Sequence, residues 1–201
     1  MSEPIRILHV LAAMNMAGTE TLLVNFYRNI DRSKVQFDFA VMTKKHCAYD
    51  DEIISMGGKL IHYPAYRPNT IIEYRNWWNR FFKEHPEYRI VHGHIGSTAA
   101  IYLKIAKKYG RFTIAHSHGT NATLSPKSVL YRICSYPTRY VADQFFSCSQ
   151  QALIDRYGKK VAEGSKAKVI SNAIDAEKYI YNSETRAKIR TELGIDRQQL
   201  I

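Results

Sequence analysis

Apolar runs of strand length alternate along this chain with segments whose apolar residues recur at helical spacing, and that alternation restricts the fold to a parallel sheet covered by helices. Residues 5–11, 36–42, 59–63, 90–92, 112–116, 144–148 and 168–170 read as buried strands. Between them, residues 18–27, 49–56, 71–83, 97–109, 128–140 and 150–157 read as helices, with Gly57-Gly58, Pro64 and Gly110 as stops. Residues 65–70 and 158–167 read as surface connections. The expected class is α/β, a Rossmann-like doubly wound parallel sheet.

Composition narrows the partners. With 201 residues and 45% hydrophobic content the chain has enough apolar surface for a packed core. Its formal charge of +11 favours anionic partners without choosing among nucleotides, nucleic acid and acidic membrane surfaces. Cys47, Cys134 and Cys148 are odd in number and form no CxxC pair, so neither a disulfide framework nor a zinc knuckle is expected. The first residues lack the basic and apolar regions of a signal peptide, and no apolar run is long enough to span a bilayer. A cytoplasmic chain, peripheral at most to the inner face of the membrane, is the expectation.

The last segment differs in kind. Residues 183–193 read as an exposed helix, with Glu184 and Lys188 at i,i+4 spacing and Gly194 closing it; residues 195–201 then read as the start of a strand. The expected organisation is one domain over 1–175, with 176–201 as a linker helix and the start of a missing C-terminal domain.

Two of the strands end in histidine pairs: Ile90-Val91-His92-Gly93-His94 and Thr113-Ile114-Ala115-His116-Ser117-His118, the latter running on into Gly119-Thr120-Asn121. If these strands are parallel neighbours, imidazoles and free backbone N–H groups converge at their carboxyl ends, where open α/β sheets bind ligands. The first strand-to-helix turn, Ala13-Met14-Asn15-Met16-Ala17-Gly18-Thr19-Glu20, places a glycine and free helix N–H groups where a phosphate can dock. It is not GxGxxG, and no acidic residue ends the second strand, which disfavours NAD or FAD. No Ser-His-Asp order or close carboxylate pair offers hydrolytic or inverting acid/base chemistry. The histidine pairs could reach coordination distance of one another, but without a nearby carboxylate or cysteine no metal is expected.

Several motifs in order resemble the N-terminal domain of retaining GT-B glycosyltransferases of family 4, within it the capsular and exopolysaccharide enzymes. They are Ala17-Gly18-Thr19-Glu20 where that family has Gly-Gly-x-Glu, then Asn25-Phe26-Tyr27-Arg28-Asn29-Ile30-Asp31, Gln36-Phe37-Asp38-Phe39, Gly57-Gly58-Lys59, the two histidine turns, Ala142-Asp143 before Ser147-Cys148-Ser149, and Val169-Ile170-Ser171-Asn172-Ala173-Ile174-Asp175. Ala17 and Ala173 stand where the family usually has glycine. The resemblance implies a two-domain enzyme transferring a hexosyl or N-acetylhexosaminyl group from a nucleotide-sugar to a saccharide acceptor, lipid-linked in this reading, with retention and without a metal or other cofactor. This chain would be the acceptor-side half, inactive alone. The resemblance further implies His118 as the catalytic histidine beside the donor sugar and Gly18 with Thr19 as donor contacts. It places His94, His116, Gly119, Thr120, Asn121, Arg139 and Ser149 on the acceptor side.

Two features leave room for another reading. The aromatic and basic segment over 71–83 suits a membrane interface, yet Ile71, Tyr74, Trp78 and Phe81 share one helical stripe, which favours packing on the sheet. The net charge alone is compatible with a non-catalytic Rossmann-like binding module for an anionic partner. No nucleic-acid motif accompanies that charge, so nucleic acid is not an expected partner.

Overall fold

A computed structural model describes residues 3–120, 125–174 and 176–195. Its strands are β1 (Ile5–Leu11), β2 (Val35–Val41), β3 (Leu60–His62), β4 (Tyr88–Gly93), β5 (Phe112–Ser117), β6 (Gln144–Ser147) and β7 (Ala167–Val169). They form a seven-stranded parallel sheet in the order β3-β2-β1-β4-β5-β6-β7. The helices are α1 (Gly18–Asn29), α2 (Asp50–Ser55), α3 (Ile71–Glu84), α4 (Gly96–Lys108), α5 (Pro126–Ser135), α6 (Gln150–Tyr157), α7 (Lys159–Ala162) and α8 (Ser183–Glu192). This is the doubly wound Rossmann-like sheet expected from the alternation. Its chain order reverses between β1 and β4, where such sheets open a ligand crevice.

Register decides which side chains share a face. His9 pairs with Phe39 of β2 on one side and His92 of β4 on the other. Because side chains alternate along a strand, Ile7, His9 and Leu11 lie on one face with Phe37, Phe39 and Val41, and Leu8 and Val10 lie on the opposite face with Val91. Leu11, Phe37, Phe39 and Val41 pack against Leu23, Val24 and Tyr27 of α1 and Ile53 of α2. Leu8, Val10, Val91, Ala115 and Phe145 pack against Trp78 and Phe82 of α3, Tyr102 and Leu103 of α4, and Leu153 of α6. The α3 aromatic stripe is therefore core: Tyr74, Trp78 and Phe82 are fully buried. The interfacial reading of that helix gives way to the burial its apolar spacing favoured.

An ion pair between a partly exposed arginine and a fully buried aspartate fastens the opposite end of the sheet. Arg6 on β1 donates from Nε and Nη2 to the two carboxylate oxygens of Asp38 on β2, both at 2.6 Å, and the Lys59 N–H donates to Asp38 Oδ1 at 2.7 Å. One carboxylate with no exposed surface thus connects β1, β2 and the residue leading into β3.

Departures from the expected boundaries have local causes. The helix expected over 128–140 ends at Ser135 and continues as a 3-10 turn over Tyr136–Tyr140, because Pro137 has no N–H and its ring clashes with the carbonyl four residues back. It begins earlier than expected, since Ser125 accepts the Ser128 N–H in a capping box and Pro126 suits the first helical position. The connection over 158–167 contains α7, reached through Gly158 at φ 84. Lys188 of α8 pairs with Glu192 at 3.9 Å. The strand expected to begin near 195 falls on 196–201, outside the described residues.

Candidate functional site

The carboxyl ends of β4 and β5, the N-termini of α1 and α4, and one side of α5 enclose a cavity of about 510 Å³. Its lining includes His118, which the resemblance makes catalytic, Thr19 of the two donor contacts, and His94, His116, Gly119 and Thr120 of the acceptor contacts; Gly18 lies beside Thr19 but is not part of the lining. Gly96 opens α4 on the lining; a Cβ there would lie 2.2 Å from the Tyr131 hydroxyl, so any larger residue would push that tyrosine of α5 aside. Gly18 opens α1 with nothing within 4 Å of an added Cβ, so the space above that helix start is open.

The histidines form a ladder across three strands. His9 Nδ1 lies 3.1 Å from His94 Nε2, and His94 Nδ1 lies 2.8 Å from His118 Nε2. A second contact joins His92 Nε2 to His116 Nδ1 at 3.1 Å. The His116 and His118 rings stack with centroids 4.0 Å apart. A neutral imidazole has one N–H and one acceptor nitrogen, so the run His9–His94–His118 must be polarised in a single sense from end to end. The protonation of His118 is thereby tied to that of two rings beneath it.

Burial sets the charge. His9 and His116 are 2% and 5% exposed. Desolvation lowers their imidazoles to about 3 and about 2, with neighbouring rings adding to the effect. His118, nearer the rim, falls to about 4 by burial. His92 and His94 are pushed well below the ordinary histidine value by burial first and by the adjacent imidazoles second. At neutral pH the ladder is uncharged, and His118 meets a ligand as a hydrogen-bonding group.

The remaining assignments separate. Arg139 does not reach the cavity lining: its guanidinium sits over the Tyr136 ring, 3.8 Å from the centroid, held there by the 3-10 turn that Pro137 creates. Ser149 is likewise absent from the lining and caps α6, its Oγ accepting the Ala152 N–H at 3.1 Å. Asn121 lies outside the described residues. Sequence reasoning missed Arg156 and the hydroxyls of Ser125, Ser128, Tyr131 and Ser135 on the lining, and His9 behind it. Arg156 of α6 reaches the cavity, donating to Ser117 Oγ at 3.4 Å and Ser135 Oγ at 3.3 Å with its guanidinium over the Tyr131 ring. His9 sits between apolar neighbours on β1 and supports the ladder from beneath.

This fold and crevice can be set beside known proteins. The sequence model of Glycosyltransferase Family 4 matches residues 16–178, the stretch that holds every cavity residue named above. The chain belongs to Glycosyltransferase Family 4. It is 31% identical over 202 residues to EpsF of Bacillus subtilis (strain 168), a glycosyltransferase by name, covering 98% of this chain and 52% of that protein. Among solved structures it resembles Anabaena Alr3699/HepE in complex with UDP and glucose, at a TM-score of 0.68 and 16% identity, over 94% of this chain and 50% of that one. A glycosyltransferase from Rickettsia africae ESF-5 superposes with a TM-score of 0.69 at 14% identity, over 98% and 51% of the two chains. This member of Family 4 thus spans about half the length of the relatives it matches. Its sheet is the Rossmann-like domain of the GT-B architecture.

Proposed function

We propose that this chain is the acceptor-side half of a retaining glycosyltransferase that moves a hexosyl or N-acetylhexosaminyl group from a nucleotide-sugar to a lipid-linked saccharide in surface-polysaccharide synthesis, at the cytoplasmic face of the membrane. The observation that carries the proposal is the neutral imidazole of His118 on the wall of a cavity that Thr19 of α1 also lines. The donor diphosphate docks beside Gly18 and Thr19, where free helix N–H groups favour an anion. His118 hydrogen-bonds the donor sugar and stabilises charge as the bond to phosphate breaks. The leaving phosphate takes the acceptor proton, so the protein needs no carboxylate base, and among the described residues none that lines the cavity is acidic. The transfer step calls on no metal or organic cofactor. The binding of UDP together with glucose by HepE supports a nucleotide-sugar as the donor class.

The acceptor proposal rests on α5. This helix turns Ser125, Ser128, Tyr131 and Ser135 towards the cavity while Val129, Leu130 and Ile133 stand 45%, 61% and 64% exposed on its other side. One helix therefore has hydroxyls for a saccharide and an apolar face for the lipid that carries it. No described helix is long and apolar enough to cross a membrane, so the contact proposed is peripheral. The matching C-terminal domain closes the cleft in this reading, and the division after residue 175 remains part of the proposal. The test is transfer of labelled sugar to a lipid-linked acceptor by the full-length enzyme; salt-sensitive binding of bulk nucleic acid with no response to nucleotide-sugars would instead favour the binding-module reading.

A further inference from the structure

We propose that Arg156 makes the cavity selective for an anionic acceptor: on the acceptor-side reading of this half, its guanidinium receives a carboxylate or phosphate oxyanion carried by the saccharide bound there. Among the described residues that line the cavity, Arg156 has the only formal charge, since the lining histidines are neutral and no carboxylate stands beside them. The residue is half-buried. A guanidinium on a wall partly shielded from water attracts an oxyanion more strongly than one in open solvent. Its planar fork can also give two parallel N–H donors to a carboxylate or phosphate, which a lysine cannot.

The surroundings orient that fork. The guanidinium carbon lies 4.2 Å from the centre of the Tyr131 ring, while Nε and Nη1 donate to Ser117 Oγ at 3.4 Å and Ser135 Oγ at 3.3 Å. Both bonds are long beside the usual range of about 2.7–3.2 Å, so an oxyanion at ordinary distance would displace these neutral hydroxyls. A row of hydroxyls leads past the same place. Ser128, Tyr131, Ser135 and Thr138 recur at spacings of three and four, which puts them on one side of α5 and the 3-10 turn that follows it, along the lining. Thr138 is 2% exposed, and its Oγ1 has no hydrogen-bond partner among the described residues; the Nε2 of buried His116 is in the same condition. Both residues line the cavity. Buried polar atoms of this kind cost stability unless a polar group meets them, and the hydroxyls of a sugar can do so. The row thus suits a polyhydroxyl ring, and Arg156, beside Tyr131 and Ser135 at its middle, sets where the anionic group of that ring lies.

Three soluble probes report the selectivity in NMR titrations of this chain: methyl β-D-glucuronide, with its carboxylate on the sugar; glucose 1-phosphate, with its phosphate where a lipid diphosphate would attach; and neutral methyl β-D-glucoside. At least one charged probe is expected to bind about tenfold more tightly than the neutral one, the scale of one charge-assisted hydrogen bond, and which of them does so names the source of the anion. Arg156→Gln should erase the preference and leave the weaker binding of the glucoside unchanged, which also shows that the cavity is intact. Arg156→Lys keeps the charge without the fork and should retain only part of the preference. Arg80→Gln removes a charge from an exposed position of α3 and should leave the preference whole, which separates a site from attraction by the net charge of +11. Equal binding of the three probes, binding of none, or a preference that survives Arg156→Gln would overturn the proposal. Because the readout is binding, a preference that depends on Arg156 in a full-length enzyme without sugar transfer would count against the transferase reading alone.

Discussion

At the residue scale the ladder makes a joint prediction about stability and pH. Five imidazoles are neutral in the fold, and each regains its ordinary pKa near 6.5 on unfolding. Below pH 6.5 the unfolded chain therefore binds more protons than the folded one, and stability falls as pH falls. The loss continues to about pH 4 for His118 and further for His9 and His116. Urea unfolding should show a midpoint that is level above pH 7 and drops steeply between pH 6.5 and 4. Replacing buried His9 by Phe should flatten that drop by about 1.4 kcal/mol per pH unit, the contribution of one titrating group. A profile flat to pH 4 would contradict the burial argument. The residue scale also shows the limit of sequence reading. His94, His116 and His118 were legible because they end strands, where parallel sheets bind ligands. His9 was hidden because a lone histidine in a mostly apolar strand looks like core, and Arg156 because nothing in the sequence brings the last turn of α6 to the cavity.

At the scale of elements, hydrophobic period and turn residues gave the order of strands and helices, while boundaries followed side-chain chemistry that period does not report. The capping box at Ser125 and the break at Pro137 moved both ends of α5, and with them Arg139, which the resemblance had placed in the site. The pair between Arg6 and Asp38 joins the N-terminal ends of two strands with Lys59. Asp38→Ala leaves a guanidinium unpaired and should destabilise the chain by about 3–5 kcal/mol, measured by chemical denaturation; a change under about 1 kcal/mol would show that the sheet does not depend on it. The outward face of α5 carries a different expectation. Leu130→Ser with Ile133→Ser should leave the unfolding midpoint nearly unchanged, because both side chains are exposed, yet weaken sedimentation with anionic vesicles several-fold. Unaltered vesicle binding would remove α5 from the membrane account.

At the scale of the molecule, strict β/α alternation was enough to read a doubly wound sheet, and the crevice lies at the switch point that its strand order creates. The sequence could not show that the histidines of three strands meet in one hydrogen-bonded run, since that depends on register between residues some 85 positions apart in the chain. In the enzyme we propose, the cavity is one wall of a cleft. The most direct measurement is the rate of sugar transfer by the full-length enzyme carrying His118→Ala. The account predicts a fall of about a hundredfold in kcat, the scale of losing one transition-state hydrogen bond, with the fold retained by circular dichroism; transfer at the parent rate would contradict it.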